Sequence, residues 1–472
     1  MSQSSGQSSG QSSGQSSGQS SGQSSGQTGG QAGGEPATAG RAADPQVLMR
    51  SRQYRGLLVV SALVGIAVSL ASWGFLEVTH WLQEALYTDL PKSLGFDSAP
   101  WWWPLPVLAV AGLVIAFAIV RLPGHGGHEP SEGLKTGAPT TPAELPGVIL
   151  AAVATVGLGM VLGPEAPLLA LGGGVALSLV DLARRPVPDQ AKLVLAAAGG
   201  FAALATIFGS PVIGAVIIIE AAGLGGPMLP LILLPGLLAS GIGSLVFVGI
   251  GHLTGLSTNA FALPPLTLPA YPIPRLVDFL WTIPLALVAA AGVFAVITLG
   301  RRTRSLVARR PLLLIPVAAL AVGLLAIAFA QISGQPAEAV LFSGQDEMSA
   351  TLQAAATVSQ GTIALLLVAK ALAWGISLGA ARGGPTFPAI FLGLVGGLLA
   401  AHLPGFAETP AIGVLIGAAV VAVLRLPLSA IVLALLITRA GGGVAPLVIV
   451  SVVVAYISTL MLSARRTITP EG

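Results

Sequence analysis

One carboxylate, Glu165, lies inside an otherwise apolar stretch of the sequence, MVLGPEAPLLALGGG. Gly163, Pro164, Ala166 and Pro167 surround it. Proline suits the first turn of a helix, because the N–H that it lacks would have no partner there. We therefore predict a broken backbone followed by a helix that begins at Pro167, with Glu165 at its positive end. An ionisable group at membrane depth is costly, which makes Glu165 the first candidate functional residue.

The composition places this carboxylate in a membrane protein. Of the 472 residues, 54% are hydrophobic and 9% are charged, whereas a soluble domain carries about 25% charged residues. The net charge of +3 is small and is concentrated in a few loops, so it indicates membrane topology rather than nucleic-acid binding. The absence of cysteine excludes disulfides and thiolate metal sites. We predict an all-α polytopic protein of the cell membrane that contacts lipid and no nucleic acid.

The two ends of the chain differ from the apolar middle. Residues 1–45 are dominated by a QSSG repeat that cannot form a core, so this segment is predicted to be a disordered tail. A membrane domain follows over 46–466, and 467–472 is a short C-terminal tail. Basic residues before the first apolar run, between Arg301 and Arg310, and at Arg465 and Arg466 predict that both termini are cytoplasmic. Trp101–Trp103 predict an aromatic belt on the opposite side of the membrane.

Two groups of apolar segments follow one another along the chain. The first lies at about 147–162, 167–181, 191–207, 211–222 and 228–250, and the second at about 361–380, 388–401, 411–424, 427–438 and 444–462. Several of these segments are shorter than the span of a membrane. A helix needs about 20 residues to cross hydrocarbon. Short segments interrupted by Gly and Pro therefore predict helices that are broken at mid-membrane, with their ends facing protein or a cavity.

The two groups of segments resemble each other. GPEAPLLALG around Pro167 is matched by GGPTFPAIFLG around Pro388. FGSPVIGAVIIIE around Pro211 is matched by LRLPLSAIVLALL around Pro427. We predict one repeat over about 55–250 and a second over about 277–463. Paired interrupted segments in matching positions indicate a transport site at the interface between repeats.

Helix N-termini that meet inside a membrane can bind an anion. Each carries a partial positive charge and free backbone N–H groups. An ionised Glu165 would occupy such a site like the anion, and a protonated Glu165 would leave it, which predicts a gate that depends on protons. The alternative is a carboxylate that merely caps one helix, which is common at helix N-termini.

These motifs resemble the CLC family of chloride channels and chloride/proton antiporters. GMVLGPEAP is similar to the family's GREGP motif, GGPTFPAIFLG is similar to its GxFxP region with Gly384 retained, and GGHEP falls where the family has GSGIP. The resemblance covers about 55–463 and implies a homodimer with two inverted-topology repeats and one pore in each subunit. It implies that Glu165 is the gating glutamate and that the transported partner is chloride or a similar small anion, joined by protons if the chain is an antiporter. The implied anion-binding residues are Gly126, Gly127, His128, Glu129, Pro130, Gly163, Pro164, Ala166, Pro167, Pro385, Thr386, Phe387 and Pro388.

The sequence departs from the family at three functional positions. Gly127 replaces the serine of the first motif, so an anion-coordinating hydroxyl is missing. Ala221 falls on the inner proton-transfer glutamate of the antiporters, directly after Glu220, and the pore tyrosine has no clear match because Tyr456 comes too early. We therefore predict passive, channel-like conduction of small inorganic anions. The alternative is a proton-coupled chloride antiporter in which Glu220 relays protons, although a structural role for Glu220 is favoured.

Two further classes remain open. His125, His128, Glu129 and Glu132 could belong to an intramembrane metalloenzyme, but their spacing matches no zinc motif. The chain could also be a non-conducting membrane scaffold. We favour a transporter that is not an enzyme and has no cofactor or metal.

Other cations are given smaller roles. Lys370 and Arg425 are predicted to extend toward the membrane surface or to form ion pairs rather than to line the pore. Arg382, which precedes the second motif, could raise the local potential for anions.

Overall fold

The structure is a computed structural model that describes residues 45–133, 139–184, 186–223, 226, 229–254, 263 and 265–468. The tail predicted to be disordered, 1–45, lies outside these residues except at its last position. Of the C-terminal tail predicted over 467–472, only the first two residues are described. Every regular element in the described part of the chain is helical, as predicted.

The first half of the described chain contains nine helices. They are α1 Pro45–Arg50, α2 Arg52–Glu84, α3 Leu90–Ser93, α4 Pro104–Arg121, α5 Leu145–Gly157, α6 Glu165–Leu182, α7 Asp189–Phe208, α8 Pro211–Ala221 and α9 Leu229–Thr254. A π-helical turn, Ala85–Asp89, joins α2 to α3.

The second half contains eight helices. They are α10 Leu276–Val307, α11 Pro311–Ser333, α12 Met348–Ala354, α13 Gln360–Ala380, α14 Thr386–Ala400, α15 Glu408–Leu424, α16 Pro427–Thr438 and α17 Ala445–Ile468. Within the described residues, nine helical segments of the whole chain are long and apolar enough to cross a membrane, and five more are apolar but only 10–17 residues long.

The helices of the two halves follow the same order. Each half opens with a long helix, α2 of 33 residues and α10 of 32 residues. Helices α5, α6, α7 and α8 are then matched by α13, α14, α15 and α16. Helix α6 packs on α7 as α14 packs on α15, and α8 contacts α16. The broken-helix architecture predicted from the paired motifs is therefore present.

The predicted start of α6 is wrong by two residues. The helix begins at Glu165 rather than Pro167, and Pro164 is the residue before its first turn. Pro167 is tolerated inside that turn because an N–H there needs no helical partner. Helix α14 likewise begins at Thr386, two residues before the predicted position, Pro388.

The predicted segment 147–162 is only partly helical. Helix α5 ends at Gly157, and Gly159 has a φ of 108°. This conformation is accessible to glycine but not to most residues, so it ends the helix and starts an irregular linker over 158–164.

Large apolar side chains lie both inside the protein and on its outer surface. Trp374, Phe201 and Phe329 are fully buried, whereas Leu245, with 74% of its surface exposed, represents a wide apolar exterior. An exterior of this kind suits a protein whose solvent is lipid. The predicted aromatic belt includes Trp101, which is exposed, but not Trp103, which is buried and donates its Nε1–H to Leu86 O at 2.8 Å.

Candidate functional site

Two irregular linkers, 158–164 and 381–385, meet through a pair of backbone hydrogen bonds. The N–H of Gly163 donates to Gly384 O at 2.7 Å, and the N–H of Gly384 donates to Gly163 O at 2.6 Å. This isolated antiparallel bridge lies two residues before α6 on one side and two residues before α14 on the other. The bridge therefore fixes the N-termini of these two helices beside each other.

Glu165 reaches from one helix N-terminus to the other. It is the first residue of α6 and is fully buried. Its Oε1 accepts a hydrogen bond from the N–H of Thr386, the first residue of α14, at 2.5 Å. Its Oε2 is buried and has no hydrogen-bond partner among the described residues. The carboxylate is thus held where two positive helix ends converge, which is the position predicted for a bound anion.

The prolines of both motifs keep these helix ends open. Pro164 and Pro385 precede α6 and α14, and Pro167 and Pro388 occupy the third position of each helix. A proline at that position removes one of the first N–H groups. The first turn of α14 then offers the N–H groups of Thr386 and Phe387 to a ligand.

Glycine is needed where the carboxylate is held. A Cβ added to Gly384 would overlap the carboxylate of Glu165, and one added to Gly163 would overlap its Oε2. The Gly163 Cβ would also come within 2.8 Å of the Phe387 ring. These two glycines therefore shape the space that the carboxylate fills.

An aromatic stack forms one wall of this site. The rings of Phe208 and Phe387 are parallel within 6°, with their centroids 5.6 Å apart, and both side chains are buried. Phe387 was predicted as an anion-binding residue from its motif, whereas Phe208, at the end of α7, was not predicted. It lies outside both motifs, and its helical spacing is that of an ordinary core residue.

Each linker is also fixed by a hydroxyl from the opposite half. The N–H of Val161 donates to Ser377 Oγ of α13 at 3.1 Å. The N–H of Arg382 donates to Thr155 Oγ1 of α5 at 3.3 Å. Sequence reasoning missed both hydroxyls, because a lone Ser or Thr in an apolar helix usually bonds to its own backbone.

The segment 123–132, which contains the GGHEP motif, forms two 3₁₀ turns. Gly124, His125, Gly126 and Gly127 all have positive φ. The two turns span Pro123–Gly126 and Pro130–Glu132.

The histidines and carboxylates of this segment each contact a protein group. His125 Nδ1 lies 3.1 Å from Ile119 O, and His128 Nε2 lies 2.8 Å from Gly133 O. Glu129 and Glu132 both face Arg304 of α10. In the described part of the chain, no three His, Asp or Glu side chains come together as metal ligands would.

Arg382 connects this segment to the second linker. Its Nε donates to His125 O at 3.3 Å, and its Nη2 lies 4.0 Å from Glu129 Oε1. Burial lowers the pKa of the Arg382 guanidinium, and the charge of Glu129 opposes this shift. The 126–130 residues predicted to bind the anion are therefore brought to the second linker through Arg382.

Glu220 is bonded to the start of another helix. Its Oε1 accepts from the N–H of Leu428 at 2.8 Å, and its Oε2 accepts from the N–H and the hydroxyl of Ser429, both at 2.7 Å. These donors lie in the first turn of α16. The carboxylate thus caps the helix of the second half that matches its own helix, α8.

Lys370 does not extend toward the membrane surface, which was the first of the two alternatives predicted for it. The side chain is fully buried, and its Nζ donates to Ala339 O at 3.0 Å and Leu341 O at 2.8 Å. The same ammonium lies 4.3 Å from the ring centroid of Phe391. Arg425 instead donates to Ser463 Oγ at 2.9 Å near one end of the protein.

The described helices and their converging N-termini define a polytopic helical transporter of the broken-helix type. The family model described as "Voltage gated chloride channel" matches residues 107–459. The chain therefore belongs to the CLC family of voltage-gated chloride channels and related transporters, and it is a multi-pass membrane protein of a family that transports anions.

Curated relatives and solved structures agree with this assignment. The "Putative ion-transport protein YfeO" of Salmonella newport (strain SL254) is 30% identical over 359 residues, which are 74% of this chain and 81% of the relative. The same protein of Escherichia coli O7:K1 is 30% identical over 363 residues, 75% of this chain and 81% of the relative.

Among solved structures, a slow cyanobacterial Cl⁻/H⁺ antiporter superposes with a TM-score of 0.71 and 19% identity, covering 86% of this chain and 94% of the other. A CLC-type fluoride/proton antiporter gives a TM-score of 0.63 and 18% identity, covering 85% and 95%. At these identities the likeness shows the fold alone.

Proposed function

We propose that the protein conducts small inorganic anions, chloride first among them, across the cell membrane through a pathway gated by Glu165. The observation that supports this best is the carboxylate itself, buried between the N-termini of α6 and α14 and bonded to Thr386 N–H. An anion that reaches this position would replace the carboxylate at the same backbone donor. Release of the carboxylate would then open the pathway.

Passive conduction is the first candidate because the second carboxylate of a proton route is not available. Glu220 accepts three hydrogen bonds from the start of α16, and Ala221 follows it. These bonds fix the carboxylate to the start of α16, so we infer that Glu220 stabilises that helix and does not carry protons.

Proton-coupled antiport is the second candidate, and one observation favours it. Oε2 of Glu165 is buried without a partner among the described residues. Burying an ionised oxygen that is not hydrogen-bonded is costly, whereas a proton would remove that cost. A side chain that alternates between the two forms would carry one proton for each movement of the gate.

The placement of the protein in the membrane is part of the same proposal. We assign Arg301–Arg310, segment 123–132 and both termini to the cytoplasmic side, because basic loops remain on that side. Two copies would associate through α8 and α16, where Val212 is 63% exposed and Leu428 is 54% exposed. The resemblance to the family supports this homodimer, with one pathway in each subunit.

The test is chloride efflux from liposomes that contain the purified protein, with external pH recorded at the same time. The parent is compared with Glu165→Gln, and Glu408→Gln is the matched control because Glu408 is also the first residue of a helix, α15. We expect chloride flux without proton movement in the parent, altered flux in Glu165→Gln and unchanged flux in Glu408→Gln.

Two other outcomes would change the conclusion. Proton movement driven by a chloride gradient in the parent, lost in Glu165→Gln, would establish the antiporter and exclude passive conduction. An absence of flux with chloride, fluoride and nitrate in both proteins would overturn transport and favour a scaffold.

A further inference from the structure

A cluster of four charges, defined here as the inner charge cluster, lies at the arginine-rich end of the protein. It consists of Glu129 and Glu132 from segment 123–132, Arg304 from α10 and Arg382 from the second linker. Two carboxylates balance two guanidinium groups. The cluster therefore joins three separate parts of the chain without a net charge.

The two arginines do not share Glu129 equally. Arg304 makes a close ion pair through its Nη2 with Glu129 Oε2, and its Nη1 donates to Glu132 Oε1 at 3.2 Å. Arg382 Nη2 is 4.0 Å from Glu129 Oε1, which is beyond hydrogen-bond distance. Arg304 thus holds the carboxylate to one side, and the charge of Arg382 is only partly neutralised.

Arg382 is also the more enclosed of the two cations. Its side chain is 12% exposed, against 45% for Arg304 and 30% for Glu129. Its Nε and Nη1 are fixed by the carbonyls of His125 and Ala381 at 3.3 and 3.2 Å. The remaining nitrogen, Nη2, faces Glu129 Oε1 at 4.0 Å. This separation does not admit an anion between the two groups, so an anion could bind Nη2 only in place of Glu129, and it would then meet a rigid, poorly hydrated cation.

The position of Arg382 places it next to the proposed pathway. Its Cγ lies 3.0 Å from where a Cβ of Gly126 would be. It precedes by four residues Thr386, whose N–H holds Glu165. A cation here stands between the glycine-rich turns at the arginine-rich end and the gate.

We propose that Arg382 is a second binding residue for the transported anion, and that Glu129 competes with the anion for it while Arg304 holds Glu129 aside. This inference rests on the proposed function. A carboxylate that neutralises Arg382 lowers the affinity for a small anion at this end. Arg304 therefore favours the anion indirectly, by keeping the competing carboxylate at a distance.

Removing Glu129 and removing Arg304 should change anion binding in opposite directions. Glu129→Gln should tighten anion binding by about threefold to fivefold, the upper part of the range expected for an ion pair that is partly exposed. Arg304→Met should weaken it by a similar factor, because the freed Glu129 would move to Arg382. In the double variant, Arg304→Met should have little effect, since no carboxylate remains to move.

The experiment measures chloride binding to the detergent-purified full chain by titration calorimetry, and chloride flux from liposomes, for the parent, both single variants and the double variant. Glu132→Gln is the matched control, because it removes the other carboxylate that pairs with Arg304 and leaves Glu129 in place. It should leave binding within twofold of the parent. Arg382→Lys should retain binding, and Arg382→Met should lose it.

The outcomes separate this inference from the proposed function. If the parent conducts chloride but Arg304→Met weakens binding equally with and without Glu129, the arginine acts only through its general positive field, and competition by Glu129 is wrong. If Arg382→Met binds chloride as tightly as the parent, Arg382 is not a binding residue. If the parent neither binds nor conducts an anion, both proposals fail together.

Discussion

Glu165 and Thr386 show how a single carboxylate can connect two distant parts of a chain. They are 221 residues apart in sequence, yet one hydrogen bond of 2.5 Å joins them. The geometry depends on glycine on both sides, because neither Gly163 nor Gly384 can accept a Cβ without meeting the carboxylate. The position of Glu165 is therefore sensitive to residues that do no chemistry themselves.

Gly384→Ala should displace the gate without changing its chemistry. The added Cβ would overlap the Glu165 carboxylate, so we expect the side chain to leave the helix ends and chloride flux to resemble that of Glu165→Gln. Flux from liposomes is the measurement. Gly396→Ala is the control, because a Cβ there would lie 3.5 Å from Leu415, an ordinary contact.

A folding defect in Gly384→Ala can be distinguished from a displaced gate. If the overlap with Glu165 is the cause, removing the carboxylate in Gly384→Ala/Glu165→Ala should restore the thermal unfolding midpoint to that of Glu165→Ala. A double variant as unstable as Gly384→Ala would show that the carboxylate is not what the Cβ meets.

Lys370→Met should destabilise the protein while leaving the gate in place. The substitution removes the donor to Ala339 O and Leu341 O, and each buried carbonyl left unpaired costs about 1–3 kcal/mol. We expect a lower thermal unfolding midpoint in detergent. Lys192→Met, which removes a partly exposed pair with Asp189, should leave the midpoint unchanged.

The sequence predicts some of these residues and not others. Glu165 stands out because a carboxylate between prolines is rare in an apolar segment, and Thr386 follows from the matching motif. The partners of Glu220 lie 208 and 209 residues away, and such pairing depends on how α8 and α16 pack. For Arg382, the sequence predicts only that its charge could raise the local electrostatic potential for anions. Its contacts could not be predicted, because Glu129 and Arg304 come from separate segments of the chain.

At the scale of elements, α6 and α14 are positioned by contacts at their ends. The bridge between Gly163 and Gly384 and the hydroxyls of Ser377 and Thr155 fix both linkers. Motif matching predicted that these helices exist and are short. It placed both starts two residues late, because the first turn of a helix tolerates a proline at its third position as well as its first.

Glu220→Ala should weaken α16 without affecting proton movement. It removes the acceptor for two N–H groups and one hydroxyl, and loss of a helix cap costs about 1–2 kcal/mol. A lower unfolding midpoint is expected, with the ratio of protons to chloride unchanged. If instead proton movement is present in the parent and disappears in this variant, Glu220 is a relay.

Ser377→Ala should loosen the first linker. The N–H of Val161 would lose its partner inside the protein, at a cost of about 1–3 kcal/mol. We expect faster hydrogen exchange over 158–164 by mass spectrometry. Ser178→Ala is the control, because that hydroxyl donates only to its own helix at Gly174 O, and no change in the linker should follow.

At the scale of the whole molecule, the paired order of the helices could be predicted from two pairs of motifs. The orientation in the membrane follows from the distribution of arginines rather than from packing. The sequence contains no cysteine, so single cysteines introduced on the two sides can test this orientation.

Single cysteines should report opposite sides of the membrane. Ser93 is the last residue of α3, Ser305 lies among the arginines of α10, and both are exposed. A membrane-impermeant maleimide applied to intact cells should label Ser93→Cys and not Ser305→Cys, whereas inside-out vesicles should give the reverse. The parent should remain unlabelled, and equal labelling on one side would contradict the assigned topology.

The bridge between Gly163 and Gly384 relates two nearly equivalent helix starts, yet only one of them bears a carboxylate. The carboxylate makes the two helix starts unequal. An anion that arrives from one face of the membrane therefore meets Glu165 differently from an anion that arrives from the other face. The exchange Glu165→Thr/Thr386→Glu would move the carboxylate from the start of α6 to the start of α14. Recordings of single orientations in planar bilayers should then show rectification of opposite sign, so that the position of this one carboxylate decides in which direction anions flow more easily.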